Sequence, residues 1–464
     1  MIVLITVFIT AIIVLFTGVF NQGKYARYTG IAGLLLALAL SFQPEPVFFE
    51  QYHSMYALSA SAVLFSRIAI MTTLLIFFLG GFAFSNHRNH QSELYALMLF
   101  ALCGGFVLFG FQNLITLFLG IEILSIPLYV LAGANKNDLR SNEASLKYFL
   151  MGAFATGFLL FGIAMIYGAA GSFDLAQIRE FVTLHQSKPM IILGMIMMLS
   201  AFSFKVSLTP FHTWSPDVYQ GAPTIITAFM ASVVKTSAVY AFFVMMTQVF
   251  GSIMGSWQNI VGVLIILTFL IANTMGLAQS NAKRMLAFSS VSHAGYLALI
   301  FFGVNENSTN VLAFYLFAYS LSTIGVFMTM IYVEKIKRET SYNAFKGLAK
   351  TSPILALVST VSLLSMAGIP ITAGFIAKFS LFAQAINGSI FLVLMAIIGS
   401  AISIAYYLRL IISMYFFQES SFKTSETVSI TYNIVGVVII LTIIILGIFP
   451  DLFFHQFAYA PIIK

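Results

Sequence analysis

Glu122, Lys205, Lys235 and Lys378 each lie inside a long apolar stretch of the chain. A charged side chain at the centre of a bilayer costs about 2.5–3.5 kcal/mol on insertion scales. One acid and three lysines kept at that depth point to groups that take up protons or ions and pass them on. Desolvation favours the neutral form of either group, and an opposite charge favours the ionised form. A buried Glu122 whose lysine partner moves or changes protonation can therefore bind and release a proton. Lysine suits this work and arginine does not, because arginine keeps its charge when buried. The static alternatives are a fixed Glu–Lys pair that sets helix packing and, for Lys205, a side chain that snorkels to the interface.

Three further residues stand in a second rank. His212 lies beside Pro210, and His293 sits in the polar patch Ser289-Ser290-Val-Ser292-His293. Histidine titrates near neutral pH and relays protons, although a membrane histidine also serves as a packing residue. Lys147 begins a predicted helix and either extends the path or marks an interface. Arg67 and Arg409 read as anchors near helix ends. His87 and His90 flank a short loop without neighbouring acids or cysteines, so no metal site is expected.

These groups need spanning helices to hold them. The 464 residues are 60% hydrophobic and 8% charged, against about 25% charged for soluble proteins. Apolar runs long enough to cross a bilayer, at about 20 residues each, number about 14. They fall near 1–20, 28–43, 58–84, 92–109, 112–133, 146–169, 189–209, 223–250, 256–277, 285–303, 309–333, 353–384, 389–416 and 429–450. The expectation is an all-α polytopic membrane protein forming one transmembrane domain over 1–464. The first run reads as a retained helix rather than a signal peptide.

The net charge of +7 reflects loop lysines and arginines gathered on one side, not a nucleic-acid surface. Loops after odd-numbered helices hold Lys24, Arg27, Arg88, Lys136, Arg140, Lys147, Lys283, Arg284, Lys335, Lys337, Arg338, Lys346, Lys350 and Lys423. Loops after even-numbered helices hold Arg179 and Lys188. Odd loops then face the cytoplasm and both termini face outward. A single cysteine, Cys103, excludes disulfides, cysteine-ligated zinc and iron–sulfur clusters. No glycine-rich nucleotide motif is present.

Two predicted helices are interrupted, the seventh at Pro210 and the twelfth at Gly368-Ile-Pro370. Proline removes a backbone donor and clashes with the preceding turn. Each break falls on the fourth helix of a five-helix set, one set over 92–250 and the other over 256–416. That leaves 1–91 for three N-terminal helices and 429–450 for a final one. Matched interruptions of this kind mark inverted-repeat transporters with sites at mid-bilayer.

The stretch Phe211-His-Thr-Trp-Ser-Pro-Asp-Val-Tyr-Gln-Gly-Ala-Pro-Thr224 resembles the hallmark of the proton-pumping membrane subunits of bacterial respiratory complex I. Its Val-Tyr-x-Gly extension looks like subunit N of NADH-quinone oxidoreductase. Gly120-Ile-Glu122-Ile-Leu-Ser, Glu143-Ala-Ser-Leu-Lys147-Tyr-Phe, Asn281-Ala-Lys-Arg-Met-Leu-Ala-Phe-Ser-Ser290 and Gly374-Phe-x-x-Lys378 match as well. Phe288 departs from the pattern, standing where tyrosine is common, and the first three helices match little that is distinctive. The chain also stops soon after its last helix, without the lateral extension that marks subunit L.

The resemblance implies fourteen helices in two inverted five-helix repeats, with a charge pair between Glu122 and Lys205. It implies that Lys235 matches the connecting lysine of the eighth helix, Lys378 the twelfth-helix lysine and Lys147 a sixth-helix lysine. It further implies that no cofactor is bound here, with NADH, FMN, iron–sulfur clusters and quinone handled elsewhere in the complex. Partners would be other hydrophobic membrane-arm subunits and lipid, with no nucleic acid, in the bacterial plasma membrane. Two rival readings remain: a subunit of a multi-subunit cation/proton antiporter, which shares the Trp-x-Pro-Asp pattern, and a non-pumping scaffold with static charge pairs.

Overall fold

Seven of the described helices start at a side chain that accepts from an otherwise unpartnered backbone N–H. Ser59, Asn113, Asp138, Asp174, Asn281, Ser389 and Ser429 each cap a helix in this way. Pro189 and Pro353 open two more, where the missing N–H costs nothing. Between caps, the apolar sequence leaves the backbone no partner but itself, which in lipid dictates helix.

The computed structural model describes residues 1–44, 47–84, 90–417 and 429–457. His87, Arg88, Lys423 and Lys464 lie outside them. In chain order the helices are α1 (Ile2–Val19), α2 (Ala26–Leu40), α3 (Ala60–Ala83), α4 (Gln91–Gly110), α5 (Leu114–Ala132) and α6 (Leu139–Ala170). There follow α7 (Leu175–Leu184), α8 (Pro189–Val206), α9 (Trp214–Gly221), α10 (Thr224–Val249), α11 (Met254–Ala278) and α12 (Ala282–Ala298). The last six are α13 (Ser308–Lys337), α14 (Pro353–Ala367), α15 (Ala373–Ala385), α16 (Ile390–Phe416), α17 (Ile430–Ile448) and α18 (Asp451–Phe457). Among the described residues there is no strand, only isolated bridges.

Twelve of the described helices are long and apolar enough to cross a membrane. The expected second span is α2, only 15 residues long. The expected twelfth span is two helices, α14 and α15, and the seventh stops at Val206, with α9 continuing beyond a gap. Leu175–Leu184, expected as loop, forms α7, because Leu175, Ile178 and Val182 recur at helical spacing and are buried. Its ten residues are too few to cross a bilayer.

Burial is graded across the molecule. The most apolar stretches of α10, α12 and α13 are wholly buried, whereas α1 buries a minority of its residues. An all-round apolar helix enclosed by others forms a membrane protein's interior, and a half-buried one faces lipid. The three central helices carry Lys235, His293 and a set of tyrosines, so the polar groups sit where lipid is excluded.

Candidate functional site

The break after α8 is held by side chains that satisfy the freed backbone. Ser207 takes a left-handed φ of 68° and ends the helix. Leu208 N–H donates to Ser203 O at 2.8 Å, and the Trp214 indole N–H reaches back to Phe204 O at 3.1 Å. Thr209 N–H donates to Thr268 Oγ1 on α11 at 3.0 Å. An interrupted membrane helix survives where such partners exist.

Lys205 lies in the last turn of α8. Its Nζ donates to Ser125 Oγ on α5 at 2.7 Å, and Ser125 Oγ donates in turn to Ile121 O. Glu122 is one turn before Ser125 and accepts from Thr156 Oγ1 on α6 at 2.8 Å. The implied Glu122–Lys205 charge pair is therefore not closed. Glu122 and Ser125, the residue that receives Lys205, share one face of α5, i and i+3, but Glu122 and Lys205 are each bonded to a hydroxyl.

Lys235 is 3% exposed at the centre of α10. The turn before it, Met230–Val234, is a π-turn, a local widening that recurs at functional positions. Its Nζ donates to Ser290 Oγ at 2.6 Å and to Ser290 O, and lies 5.5 Å from the Tyr319 ring centroid. Tyr319 OH donates to the same Ser290 Oγ at 3.0 Å. Ser290 and His293 are one turn apart on α12, so the serine that receives Lys235 and the histidine share a face.

His293 continues the line. Its Nδ1 is 2.7 Å from Tyr315 OH and its Nε2 is 3.5 Å from Tyr407 OH, while Tyr319 packs on its ring at 4.6 Å. Tyr407 OH bonds Ser289 Oγ. Beyond His293, the Lys378 Nζ lies 4.5 Å from the Tyr296 ring and donates to Ser400 Oγ at 2.9 Å and to Ala367 O at 3.0 Å. A cavity with room for about one water is lined by His293, Tyr315, Tyr319, Ser322, Ser365 and Lys378.

The second break is built from close approach. Gly368 at φ 83° ends α14, and a Cβ on Gly374 would sit 1.8 Å from Ser365 O. Ile371 takes φ 75°, a conformation costing a β-branched residue on the order of 1–3 kcal/mol. Pro370, like Pro210, lies in the non-helical stretch.

The structure thus brings Lys235, His293 and Lys378 into one interior line, and Glu122 and Lys205 into a second group. No hydrogen bond between described residues joins the two groups. His212 is not drawn into either, and its Nδ1 is buried without a partner. Lys147 belongs elsewhere: its Nζ is 2.6 Å from both Glu143 Oε1 and Asp217 Oδ2, and Arg284 Nη1 is 2.7 Å from Asp217 Oδ1. Glu143, Asp217 and Arg284 rim an open pocket of about 250 Å³. Burial opposes ionisation of Asp217, but Lys147 and Arg284 outweigh it and hold the carboxyl below the usual range. Arg67 donates to Ser41 O, the C-cap of α2, and Arg409 donates to Gln279 O. His90 lies 3.8 Å from Glu93; no group of three or more potential metal ligands occurs among the described residues.

Sequence reasoning missed several participants. Ser290 and Asp217 stood inside recognised motifs without an assigned role. So did Ser125. Thr156 and Ser400 carry no local signal, since isolated membrane serines and threonines mostly bond their own helix. Lys283, counted as a loop cation, is 1% exposed.

Comparison with known proteins gives the chain its relatives. Residues 111–403 match the family described as NADH:quinone oxidoreductase/Mrp antiporter, TM. The chain is 43% identical over 423 residues to NADH-quinone oxidoreductase subunit N of Cytophaga hutchinsonii, covering 91% of each. It is 38% identical over 441 residues to the subunit N of Flavobacterium psychrophilum, covering 95% of this chain and 96% of that one. A chain of respiratory complex I from Thermus thermophilus, solved with bound aureothin, superposes with TM-score 0.80 at 30% identity over 98% of this chain and 99% of that one. A chain of the Mrp complex from Dietzia superposes with TM-score 0.86 at 18% identity over 99% and 96%, a likeness of fold.

Proposed function

Since this chain belongs to the subunit N family of NADH-quinone oxidoreductase, we propose that it is a proton-translocating subunit in the membrane arm of such a complex. Electron transfer from NADH to quinone takes place on other subunits, which carry the FMN and iron–sulfur centres. The residues of this chain hold and move protons. Its neighbours are hydrophobic membrane-arm subunits and lipid, its site the bacterial inner membrane, and both termini lie on the outer side.

The mechanism uses the two groups in turn. Protonated Lys205, seated on Ser125 with Glu122 one turn away, is the loading position. When Glu122 changes its distance or its charge, Lys205 gains or loses its electrostatic support and the proton moves on toward Lys235. Lys235 delivers to the Ser290–Tyr319–His293 cluster, and Lys378 takes the proton beside Tyr296 and releases it outward. Lys147 and His212 serve at the approach to Lys205 rather than in the line. Moving one charge against 100 mV costs about 2.3 kcal/mol, and a two-unit change in a lysine's pKa supplies about 2.7 kcal/mol, so the switch is large enough.

Helices over 92–250 and 256–416 act as two inverted sets of five, with 1–91 and 429–450 flanking them. The interruptions at α8/α9 and α14/α15 support this division. Twelve long spans together with α2 and the broken α14–α15 pair support the fourteen-span reading.

One observation carries the proposal: Lys235, wholly enclosed, ends on a serine that belongs to the same helix turn as His293. Replacing Lys235 with Met in the assembled complex removes the ammonium that Ser290 receives. Proton translocation per assembled complex should fall to near background; wild-type translocation would end the reading. The Mrp likeness is one of fold alone, and the relatives at 38–43% identity are subunits N, so cation exchange is not favoured.

A further inference from the structure

Two neighbouring residues at the start of α12 grip the junction between α9 and α10, and the relay above uses neither. Lys283 Nζ donates to Ala222 O at 2.6 Å and lies 3.7 Å from Glu334 Oε1 on α13. The second oxygen of Glu334 accepts from Thr224 Oγ1. Ala222 and Thr224 flank Pro223, which separates α9 from α10. Arg284 reaches back along α9 to Asp217 and Gln220, at 2.7 and 3.0 Å.

Helix packing alone does not call for a buried charge here. Lys283 is buried and the Glu334 side chain is 39% exposed, and well-packed apolar residues replace even a fully buried pair with little loss, and sometimes with a gain in stability. What the charged clamp does provide is a fixed register between three elements. Thr224 and Lys235 are about three turns apart on α10, and Lys283 and Ser290 about two turns apart on α12. Both helices are buried, so locking their bases together sets how Lys235 meets Ser290 further along.

We propose that Lys283 is a positioning residue for the relay: with Glu334 it clamps the 222–224 junction against α12 and α13 and so fixes the register of Lys235 on Ser290. This rests on the proton-relay reading above. The clamp also ties the first set of five helices to the second at the α9–α10 junction, just beyond the break after α8, so a shift of the broken helix is passed to α12.

The test uses the complete respiratory complex carrying Lys283→Met, Lys283→Arg or Glu334→Gln. Complex amount is read on native gels, and proton translocation is read per assembled complex. Lys283→Met should lower translocation per complex roughly tenfold, the scale of a small misplacement of reacting groups. Lys283→Arg, which keeps the charge and the donors, should recover most of it. Should the Met variant fail to assemble, Glu334→Gln decides, with an expected loss of at least about twofold. Wild-type translocation per complex in Lys283→Met, or in Glu334→Gln where the former is not assembled, overturns the clamp. Equal loss in Lys283→Arg and Lys283→Met overturns it too. Lys235→Met run alongside separates the two ideas. Unchanged translocation there sinks the relay reading, while loss there with none in Lys283→Met sinks the clamp alone.

Discussion

Lys378 donates its ammonium to the carbonyl of Ala367, the last residue of α14. A helix C-terminus carries a partial negative charge and unpaired carbonyls. The break therefore creates the seat for the charge that lies just beyond it. The same Nζ holds Ser400 on α16, so three elements meet at one ammonium.

Lys378→Met removes the ammonium and leaves Ala367 O and Ser400 Oγ without that donor. The expected result is loss of most proton translocation per assembled complex, with a drop in assembly as well. Lys378→Arg keeps the charge but does not release a proton. It should assemble better than the Met variant and still fail to pump. A pumping arginine variant, measured by acidification of inverted vesicles, would remove Lys378 from the relay.

Glu122→Gln leaves an amide oxygen able to accept from Thr156, so the local geometry is kept while the charge is lost. Translocation should fall about tenfold or more with little change in complex amount. Ser125→Ala strips Lys205 of its only hydrogen-bond partner among the described residues and should produce a smaller loss of the same kind. Comparing the two separates the effect of the charge from that of the seat.

Gly374→Ala places a Cβ 1.8 Å from Ser365 O. That contact is to backbone, which has no rotamer to yield, so α14 and α15 must part. Overpacking of this sort costs about 1–3 kcal/mol. The assembled complex should unfold at lower temperature, read by static light scattering or tryptophan fluorescence. An unaltered melting profile would contradict the close approach at this break.

Asp217 supplies the pH prediction. Burial resists its ionisation, but Lys147 and Arg284 prevail and its carboxyl stays below the usual range. A depressed folded value means that the stabilisation is fully present above the unfolded carboxyl value of about 3.9. It is lost as pH falls through the folded value. The stability gap between wild type and Asp217→Asn should therefore be flat from about pH 5 to 8 and close only below the carboxylate range. A gap that shrinks near neutrality would mean that another group governs the cluster.

Much of this architecture is written into local sequence. Apolar runs locate the spans, although α6 starts at Leu139, capped by Asp138, ahead of the expected start at 146. Pro210 and Gly368 mark the interruptions. Where the reading fell short, the cause was length or context. α7 is too short to register as an apolar run, and its amphipathic stripe is legible only against the helices it covers.

The sequence by itself determined that Glu122, Lys205, Lys235 and Lys378 lie within apolar segments, because hydrophobic length is a property of consecutive residues. Only the tertiary structure decided what each of them touches. Lys205 meets Ser125 across 80 positions of chain and Lys235 meets Ser290 across 55, and no local pattern encodes such distances. Lys283 looks like any loop cation until α9, α10 and α13 close around it. Burial of a charge is set by the elements folded over it, not by the residues beside it in the chain.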